Sequence, residues 1–154
     1  MLPHARDENG FSLVEVLVTI VIVGVTFSAL LGGLVTTITV SSLHRKQATA
    51  DSVARSAAEW VKDSVANPYA NCGGAGAYSL SGLQKPSGYA ASITSVEYWD
   101  GTLPAAGTAY SLDGHMGSSC PGGGDKGVQR ITISVTSSDG QAQETVQVLK
   151  RVIP

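Results

Sequence analysis

An apolar run near the N-terminus is the feature that most constrains this chain. From Val16 to Val40 the sequence has 25 residues without one charged side chain. Built as a helix that rises about 1.5 Å per residue, the run would be about 38 Å long, which exceeds the roughly 30 Å hydrocarbon core of a bilayer. The run therefore predicts a helix that spans a membrane.

The carboxylate of Glu15 directly precedes this run. An unpaired charge within a membrane helix costs about 2.5–3.5 kcal/mol on insertion scales, so such residues usually mark a function and a partner. The plainer interpretation is a single-pass anchor in which Glu15 reaches the headgroups from the first helical turn. A secretory signal peptide fits poorly, because its apolar stretch is only about 7–15 residues long and follows a basic start.

The residues that lead into the run form a specific junction. Residues 10–15 read Gly-Phe-Ser-Leu-Val-Glu, and they resemble the leader-peptide junction of the type IV pilin superfamily, which includes the pseudopilins of type II secretion. The resemblance implies that a prepilin peptidase cuts after Gly10 and methylates the new amino group of Phe11. It also implies that Glu15 pairs with the positively charged N-terminus of a neighbouring subunit in a filament.

The resemblance divides the chain into four segments. Residues 1–10 are the implied leader, 11–40 the transmembrane half of a long helix, 41–66 its amphipathic half, and 67–154 a β-rich head. Lysines and arginines are nearly balanced on the two sides of the apolar run, so charge does not set the orientation. The resemblance places the leader in the cytoplasm, the helix in the bacterial cytoplasmic membrane, and the head outside or, later, in a filament at the cell surface.

Helical periodicity continues beyond the apolar run. The segment from Ala48 to Val65 lacks proline and glycine, and its larger apolar residues fall on one stripe. The members of this stripe are Val53, Ala57, Trp60, Val61 and Val65. Asn67-Pro68 is the expected stop, because the residue before a proline avoids the α region. We therefore expect one helix from Ser12 to about Ala66.

Small residues recur at every fourth position in the membrane half, at Gly24, Ser28 and Gly32. Such a face allows the backbones of two helices to approach closely. The pattern is thus consistent with helix packing in a filament, and equally with the ordinary tolerance of glycine in membrane helices. The chain has no proline between Phe11 and Asn67, so the partly melted helix segment of many family members cannot be carried over to it.

The composition and residue pattern of the remainder of the chain predict loops and strands. Thirteen glycines lie between Gly73 and Gly127, which indicates much irregular backbone. Tyr89 to Trp99 predicts one strand, and Val128 to Ile153 predicts an antiparallel hairpin that turns at residues 137–140. Its expected buried face consists of Ile131, Ile133, Val135, Val146, Val148 and Val152. The predicted fold class is α+β, with one long N-terminal helix packed on a small antiparallel sheet.

Cys72 and Cys120 are the two cysteines of the chain. An even pair in a small extracytoplasmic domain predicts a disulfide, here between the loop after the helix and the loop before the hairpin. A zinc site from the cysteines with His115 and Asp113 is the weaker alternative, because no C-x-x-C or H-x-x-x-H spacing supports it. Calcium at Asp113 and Asp125 is also weak, because no calcium ligand set of the pseudopilins can be matched to these residues. Solvated turn aspartates are the simpler interpretation.

The functional prediction is a non-enzymatic structural subunit without a metal or cofactor. No catalytic spacing is evident, and a formal charge of -2 gives no signal of nucleic-acid binding. The expected partners are prepilin peptidase, other pilin or pseudopilin subunits, and the membrane. A minor subunit is favoured by the lack of the proline-bearing motifs of major pseudopilins and by a terminal hairpin like that of minor-subunit heads. The alternatives are a competence pseudopilin that aids DNA uptake and a membrane-tethered binding module that never polymerises.

Overall fold

The computed structural model describes residues 12–103 and 111–152. A long helix comes first in this part of the chain, and four strands follow it. The helix is α1 (Leu13–Lys62), and the strands are β1 (Tyr89–Trp99), β2 (Met116–Gly117), β3 (Val128–Ser137) and β4 (Gln143–Arg151), with short 3-10 helices at Ala75–Ala77 and Leu112–His115. The predicted α+β class is confirmed. The chain divides into two units between Ser42 and Leu43, and each is described by itself.

The first unit is the helix up to Ser42. Its apolar side chains are exposed, and α1 is long and apolar enough to cross a membrane. Each hydroxyl side chain between Val16 and Val40 donates a hydrogen bond to the backbone carbonyl four residues earlier. These six are Thr19, Thr26, Ser28, Thr36, Thr37 and Thr39. The helix itself therefore satisfies these six hydroxyl groups, as a helix in hydrocarbon requires.

The second unit packs the rest of α1 against one face of an antiparallel sheet. The strand order is β2-β1-β3-β4. The buried residues of α1 are small, which brings the helix close to the sheet, and they are Ala50, Val53, Ala54, Ala57, Ala58 and Val61. From β3, Ile131, Ile133 and Val135 are fully buried. Burying a side chain of this size contributes about 1.5–3 kcal/mol, so β3 forms the centre of the core.

The sheet confirms the predicted strand and hairpin, and it adds detail to both. β1 has the predicted bounds, with a register shift against β3 between Ile93 and Ser95. β3 and β4 pair without interruption from Val128↔Arg151 to Thr136↔Gln143. The predicted burial of Val152 is wrong, because β4 ends at Arg151 and Val152 lies beyond it, 47% exposed.

The predicted end of the helix is also wrong. α1 ends at Lys62, four residues before the expected limit at Ala66, and Val65 is 91% exposed instead of extending the apolar stripe. Side chains from outside the helix donate hydrogen bonds to its last backbone carbonyls. Lys150 Nζ donates to the Val61 oxygen over 2.7 Å, and Asn67 Nδ2 donates to the Trp60 oxygen over 3.1 Å. Because these carbonyls already have hydrogen-bond partners, a further helical turn up to the proline is not required to satisfy them.

The structure contains the expected disulfide between Cys72 and Cys120, whose Cα atoms are 5.4 Å apart. The bridge closes a loop with a sequence separation of 48 residues. On the chain-entropy model, closing a loop of this size stabilises the fold by roughly 4 kcal/mol. Because a small head has few other sources of stability, the bridge contributes a large share of the total.

Asp125 supports the same pair of loops. Its carboxylate accepts hydrogen bonds from Gln129 Nε2 (2.5 Å), the Cys72 backbone N–H (3.3 Å) and the Gly127 backbone N–H (2.8 Å). Burial by itself would raise the pKa of Asp125, but the hydrogen bonds, led by that from Gln129, outweigh it and lower the pKa. The expectation of a solvated turn aspartate is wrong here, because protein groups occupy this carboxylate.

Candidate processing and assembly site

The predicted cleavage and methylation residues, Gly10 and Phe11, lie outside the described residues. The described chain begins beside them, at Ser12. The Ser12 carbonyl accepts from the Val16 N–H over 3.2 Å, and the Ser12 hydroxyl accepts from the Val14 N–H over 3.3 Å. The first of these bonds is the first hydrogen bond of the helix itself, and the second satisfies one of the N–H groups that a helix start leaves free. Ser12 therefore caps α1, which begins at Leu13.

Glu15 lies in the first turn of α1, on an exposed and otherwise apolar surface. With Val16, Thr19 and Ile20 it lines an open groove of about 290 Å³. The Thr19 hydroxyl donates to the backbone carbonyl of Glu15 over 2.7 Å, not to its carboxylate. An ionised carboxylate only accepts hydrogen bonds, so the groove presents an acceptor that suits a cation or an N–H group.

No ion pair to Glu15 is formed by any residue in 12–103 or 111–152. The cation nearest in sequence toward the C-terminus is Arg45, and it follows the whole apolar run. A carboxylate held in hydrocarbon without a partner is strongly disfavoured. A cation that pairs with Glu15 in the membrane would have to come from the undescribed N-terminus or from another molecule.

The small-residue positions share one face of the helix. Ser28 Oγ donates to the Gly24 carbonyl over 2.9 Å, and Gly32 follows one turn later. Apart from the neighbouring residues and backbone of its own helix, a Cβ atom placed on Gly24 or Gly32 would meet nothing in the described chain within 4 Å. The face is therefore open to a neighbouring helix.

Charged groups on the head pair with one another in a structural role. Arg130 Nε donates to Glu97 over 2.6 Å and Arg130 Nη1 donates to Asp113, which holds the 3-10 helix at Leu112–His115 near the start of β3. Hydrogen bonding to Glu97 raises the pKa of Arg130. His115 Nδ1 lies 3.0 Å from Asp100 in the same region. Among the described residues, no group of three or more His, Cys, Asp or Glu side chains could hold a metal ion.

Sequence reasoning missed two buried polar residues on the inner face of the sheet. Gln129 is fully buried and Lys150 is 5% exposed. Gln129 accepts from the Tyr78 hydroxyl over 2.6 Å and donates to the Ala70 carbonyl over 2.8 Å, so it ties the loop after α1 to β3. Their burial could have been predicted from the alternation of side chains along β3 and β4, because both residues occupy positions that point inward.

The comparisons with known proteins concern the N-terminal region. Residues 5–31 match the family described as the prokaryotic N-terminal methylation motif. This match spans the junction at Gly10 and Phe11, includes Glu15, and ends within the apolar part of α1. Neither the comparison with curated proteins nor that with solved structures gives a match.

The matched segment and the helix that follows it fit together. The motif stands at the start of the one described helix that is long and apolar enough to span a membrane. The chain therefore carries the prepilin-type N-terminal motif of the type IV pilin and pseudopilin superfamily.

Proposed function

We propose that this protein is a minor pilin or minor pseudopilin, a non-enzymatic subunit of a type IV pilus-like or type II secretion filament. Prepilin peptidase cuts it after Gly10 and methylates Phe11. The single-pass helix then holds it in the cytoplasmic membrane with the head outside, until it enters the filament. The observation that carries the proposal is the methylation motif at residues 5–31 directly on an apolar, membrane-length helix.

The assembly step is assigned to Glu15. Its carboxylate lies in an apolar groove without a described cation. The new amino group of Phe11 on a neighbouring subunit is a suitable cation, because Phe11 stands only four residues before Glu15 in the sequence of an equivalent chain. Pairing removes the cost of leaving either charge alone in lipid. Gly24, Ser28 and Gly32 then form the face on which neighbouring helices approach.

Two features support a minor role in the filament. The first is the uninterrupted helix from Leu13 to Lys62, which has no proline and so lacks the proline-bearing motif expected of a major pseudopilin. The second is the C-terminal β3–β4 hairpin at one edge of the head sheet, a feature that the resemblance drawn from the sequence implies for minor-subunit heads. Basic residues on the head are few, which favours this role over a competence subunit that helps take up DNA.

Processing is the most direct test. Intact-mass analysis of the membrane-extracted protein should give a chain that begins at Phe11 with one added methyl group. Gly10→Val should leave the leader in place, because it adds bulk at the residue after which the peptidase cuts. Gly33→Val is the matched control, since it makes the same change within α1 and should still be processed. An unprocessed wild-type chain in cells with active prepilin peptidase would contradict the proposal and favour the simple tether.

A further inference from the structure

Ser12 stands between the processing junction and the membrane helix. It lies just outside α1, which begins at the next residue, Leu13. The Ser12 hydroxyl accepts a hydrogen bond from the Val14 N–H over 3.3 Å, and the Ser12 carbonyl accepts the first bond of the helix, from the Val16 N–H, over 3.2 Å. These two contacts make Ser12 the N-cap of α1.

The sequence around Ser12 also favours a helix start at this residue. Residues 12–15 read Ser-Leu-Val-Glu, which is the S-x-x-E pattern of a capping box. Glu15 lies in the first turn, where a carboxylate interacts favourably with the helix macrodipole. The start of α1 is therefore specified by local side chains, and not only by the beginning of the apolar run.

The Val14 N–H is a donor for which two acceptors can compete. In an α-helix each N–H bonds to the carbonyl four residues earlier. If α1 were one turn longer at its N-terminus, the Val14 N–H would bond to the carbonyl of Gly10. That carbonyl belongs to the Gly10–Phe11 bond, which is the bond that prepilin peptidase cuts under the proposed function. In the structure the Ser12 hydroxyl accepts from the Val14 N–H instead.

The environment of the helix makes this competition important. Within hydrocarbon a backbone N–H without a partner is costly, and lengthening the helix is one way to satisfy it. A side chain that accepts from the Val14 N–H satisfies the same group without another helical turn. The Ser12 hydroxyl does this, so it limits the extension of α1 toward the junction.

We propose that Ser12 is a positioning residue for leader cleavage: by bonding the Val14 N–H, it keeps the Gly10 carbonyl available to the peptidase. The inference rests on the proposed function, because it takes the Gly10–Phe11 bond as the bond that is cut. Hydrolysis adds the oxygen of water to the Gly10 carbonyl carbon and a proton to the Phe11 nitrogen. The peptidase must therefore reach that carbon and place its own hydrogen-bond donors on the carbonyl oxygen. A carbonyl bonded within a helix would first have to be released, and the cleavage rate would then follow the fraction of opened molecules.

The test measures initial rates of leader removal by purified prepilin peptidase, with the full-length protein in detergent and intact mass as the readout. Ser12→Ala should lower kcat/KM by about fivefold, which corresponds to the roughly 1 kcal/mol that an N-cap typically contributes. Ser12→Thr and Ser12→Asp keep an acceptor at the cap, so they should be cleaved at close to the wild-type rate. The matched control is Ser42→Ala, which removes a hydroxyl from α1 beyond the apolar run and should be cleaved as wild type.

A second variant tests the competition for the N–H itself. Val14→Pro removes this N–H, and proline is tolerated in the first turn of a helix. In Ser12→Ala/Val14→Pro no N–H remains at position 14 to bond the Gly10 carbonyl, so cleavage should recover to the rate of Val14→Pro alone. As an independent measurement, the ¹³C shift of the Gly10 carbonyl, recorded without peptidase, should move downfield in Ser12→Ala, as it does when a residue enters a helix.

Equal cleavage of wild type and Ser12→Ala would overturn the inference and leave the proposed function intact. Slow cleavage of Ser12→Thr and Ser12→Asp would also overturn it, because the peptidase would then recognise the serine side chain itself. An unchanged Gly10 carbonyl shift in Ser12→Ala would show that the two acceptors do not compete. A wild-type chain that active peptidase leaves uncut would instead contradict the proposed function, and this inference with it.

Discussion

At the scale of single residues, Lys150 shows how a charged side chain can complete a core. Its ammonium donates to the carbonyls of Val61 (2.7 Å) and Lys62 (3.4 Å) and lies 5.7 Å from the centre of the Tyr78 ring. Burial lowers the pKa of Lys150. The cation offsets this cost, because it satisfies carbonyls at the negative end of the α1 macrodipole. A lysine at an inward strand position therefore serves as the C-terminal cap of the helix.

Lys46 has a comparable role at the beginning of the head. Its Nζ donates to the Asp139 carboxylate and, over 2.6 Å, to Gln141 Oε1, while its carbonyl accepts from the Tyr89 hydroxyl over 3.2 Å. Asp139 also accepts from Ser137 Oγ over 2.6 Å. The β3–β4 turn is thereby attached to α1 one turn before the helix begins to be buried at Ala50.

The Asp139 contacts predict a specific dependence on pH. Hydrogen bonds from Lys46, then from Ser137 and the Gln141 backbone, hold the pKa of Asp139 well below its usual range. Because the folded pKa lies below the unfolded value of about 3.9, the stabilisation is present above about pH 4 and is lost as pH falls below it. Asp139→Asn should thus lower the thermal midpoint at pH 7, and the difference from wild type should shrink between about pH 4 and pH 2. Melts followed by circular dichroism in detergent test this.

Glu144→Gln is the matched control for Asp139→Asn, because it removes a carboxylate from the neighbouring strand that forms no ion pair with another described residue. Its midpoint should remain close to that of wild type throughout. A difference between wild type and Asp139→Asn that stays constant down to pH 2 would show that the carboxylate charge is not what attaches the turn.

At the scale of elements, the loop between α1 and β1 is fitted to one aromatic ring. Trp60 Nε1 donates to the Ser79 carbonyl over 3.0 Å, and Gly82 lies close to the six-membered ring of the indole. The Asn67 side chain binds the same segment from the other side, donating to the Ser79 carbonyl (3.1 Å) and accepting from its N–H (2.6 Å). The loop is therefore a packed cover over the end of α1.

Gly82→Ala should destabilise this cover. A Cβ atom at Gly82 would lie 2.3 Å from Trp60 Cζ2 and 2.6 Å from Cη2, and the indole cannot move without losing its bond to Ser79. We expect a loss of about 1–3 kcal/mol in the free energy of unfolding, as for other overpacked sites. Gly76→Ala is the control, since its Cβ would meet no atom within 4 Å. The measurement is denaturant unfolding of both variants. Equal free energies of unfolding for Gly82→Ala and Gly76→Ala would mean that the loop can shift away from the ring.

The elements differ in how far the sequence could predict them. The bounds of β1 and the β3–β4 pairing follow from alternation along a few residues, which is local information. The end of α1 could not be predicted in this way, because Lys150 and Asn67 lie 88 and 7 residues from the groups that they bond at Lys62 and Trp60. The candidate site shows the same division. Glu15 was evident as a charge at the start of an apolar run, whereas the bonds of Gln129 to Tyr78 and Ala70 join residues 51 and 59 positions apart and depend on which loops meet in space.

At the scale of the whole molecule, the two units have opposite requirements. The head buries its own apolar surface and is further held by the Cys72–Cys120 bridge. The helix up to Ser42 buries none of its large apolar side chains, and the six hydroxyl groups between Val16 and Val40 hydrogen-bond within the helix. Only an apolar environment stabilises such a segment, and both lipid and a bundle of like helices provide one. Glu15 is the one acidic residue of that helical segment. Its charge is disfavoured in lipid but can be paired in a bundle of helices, so a substitution of Glu15 distinguishes these two environments.

Glu15→Ala should therefore leave membrane insertion intact, or improve it, and should impair entry into the filament. In lipid, removing a carboxylate is favourable, since the charge costs about 2.5–3.5 kcal/mol within a membrane helix. In a filament, the same change leaves the amino group of a neighbouring Phe11 without its partner. The measurement is crosslinking of the mature protein to its filament partners at equal membrane abundance.

Thr19→Val is the matched control for Glu15→Ala, because Thr19 lies one turn later in the same groove and its hydroxyl serves only its own helix. It should assemble as wild type does. Glu15→Gln separates charge from shape: if pairing with an ammonium group is what matters, the amide should fail nearly as completely as alanine, whereas a groove that only needs filling would tolerate it. Unchanged crosslinking of Glu15→Ala would identify the helix as a passive anchor. Loss of crosslinking together with loss of the protein from the membrane would instead show that Glu15 acts in insertion.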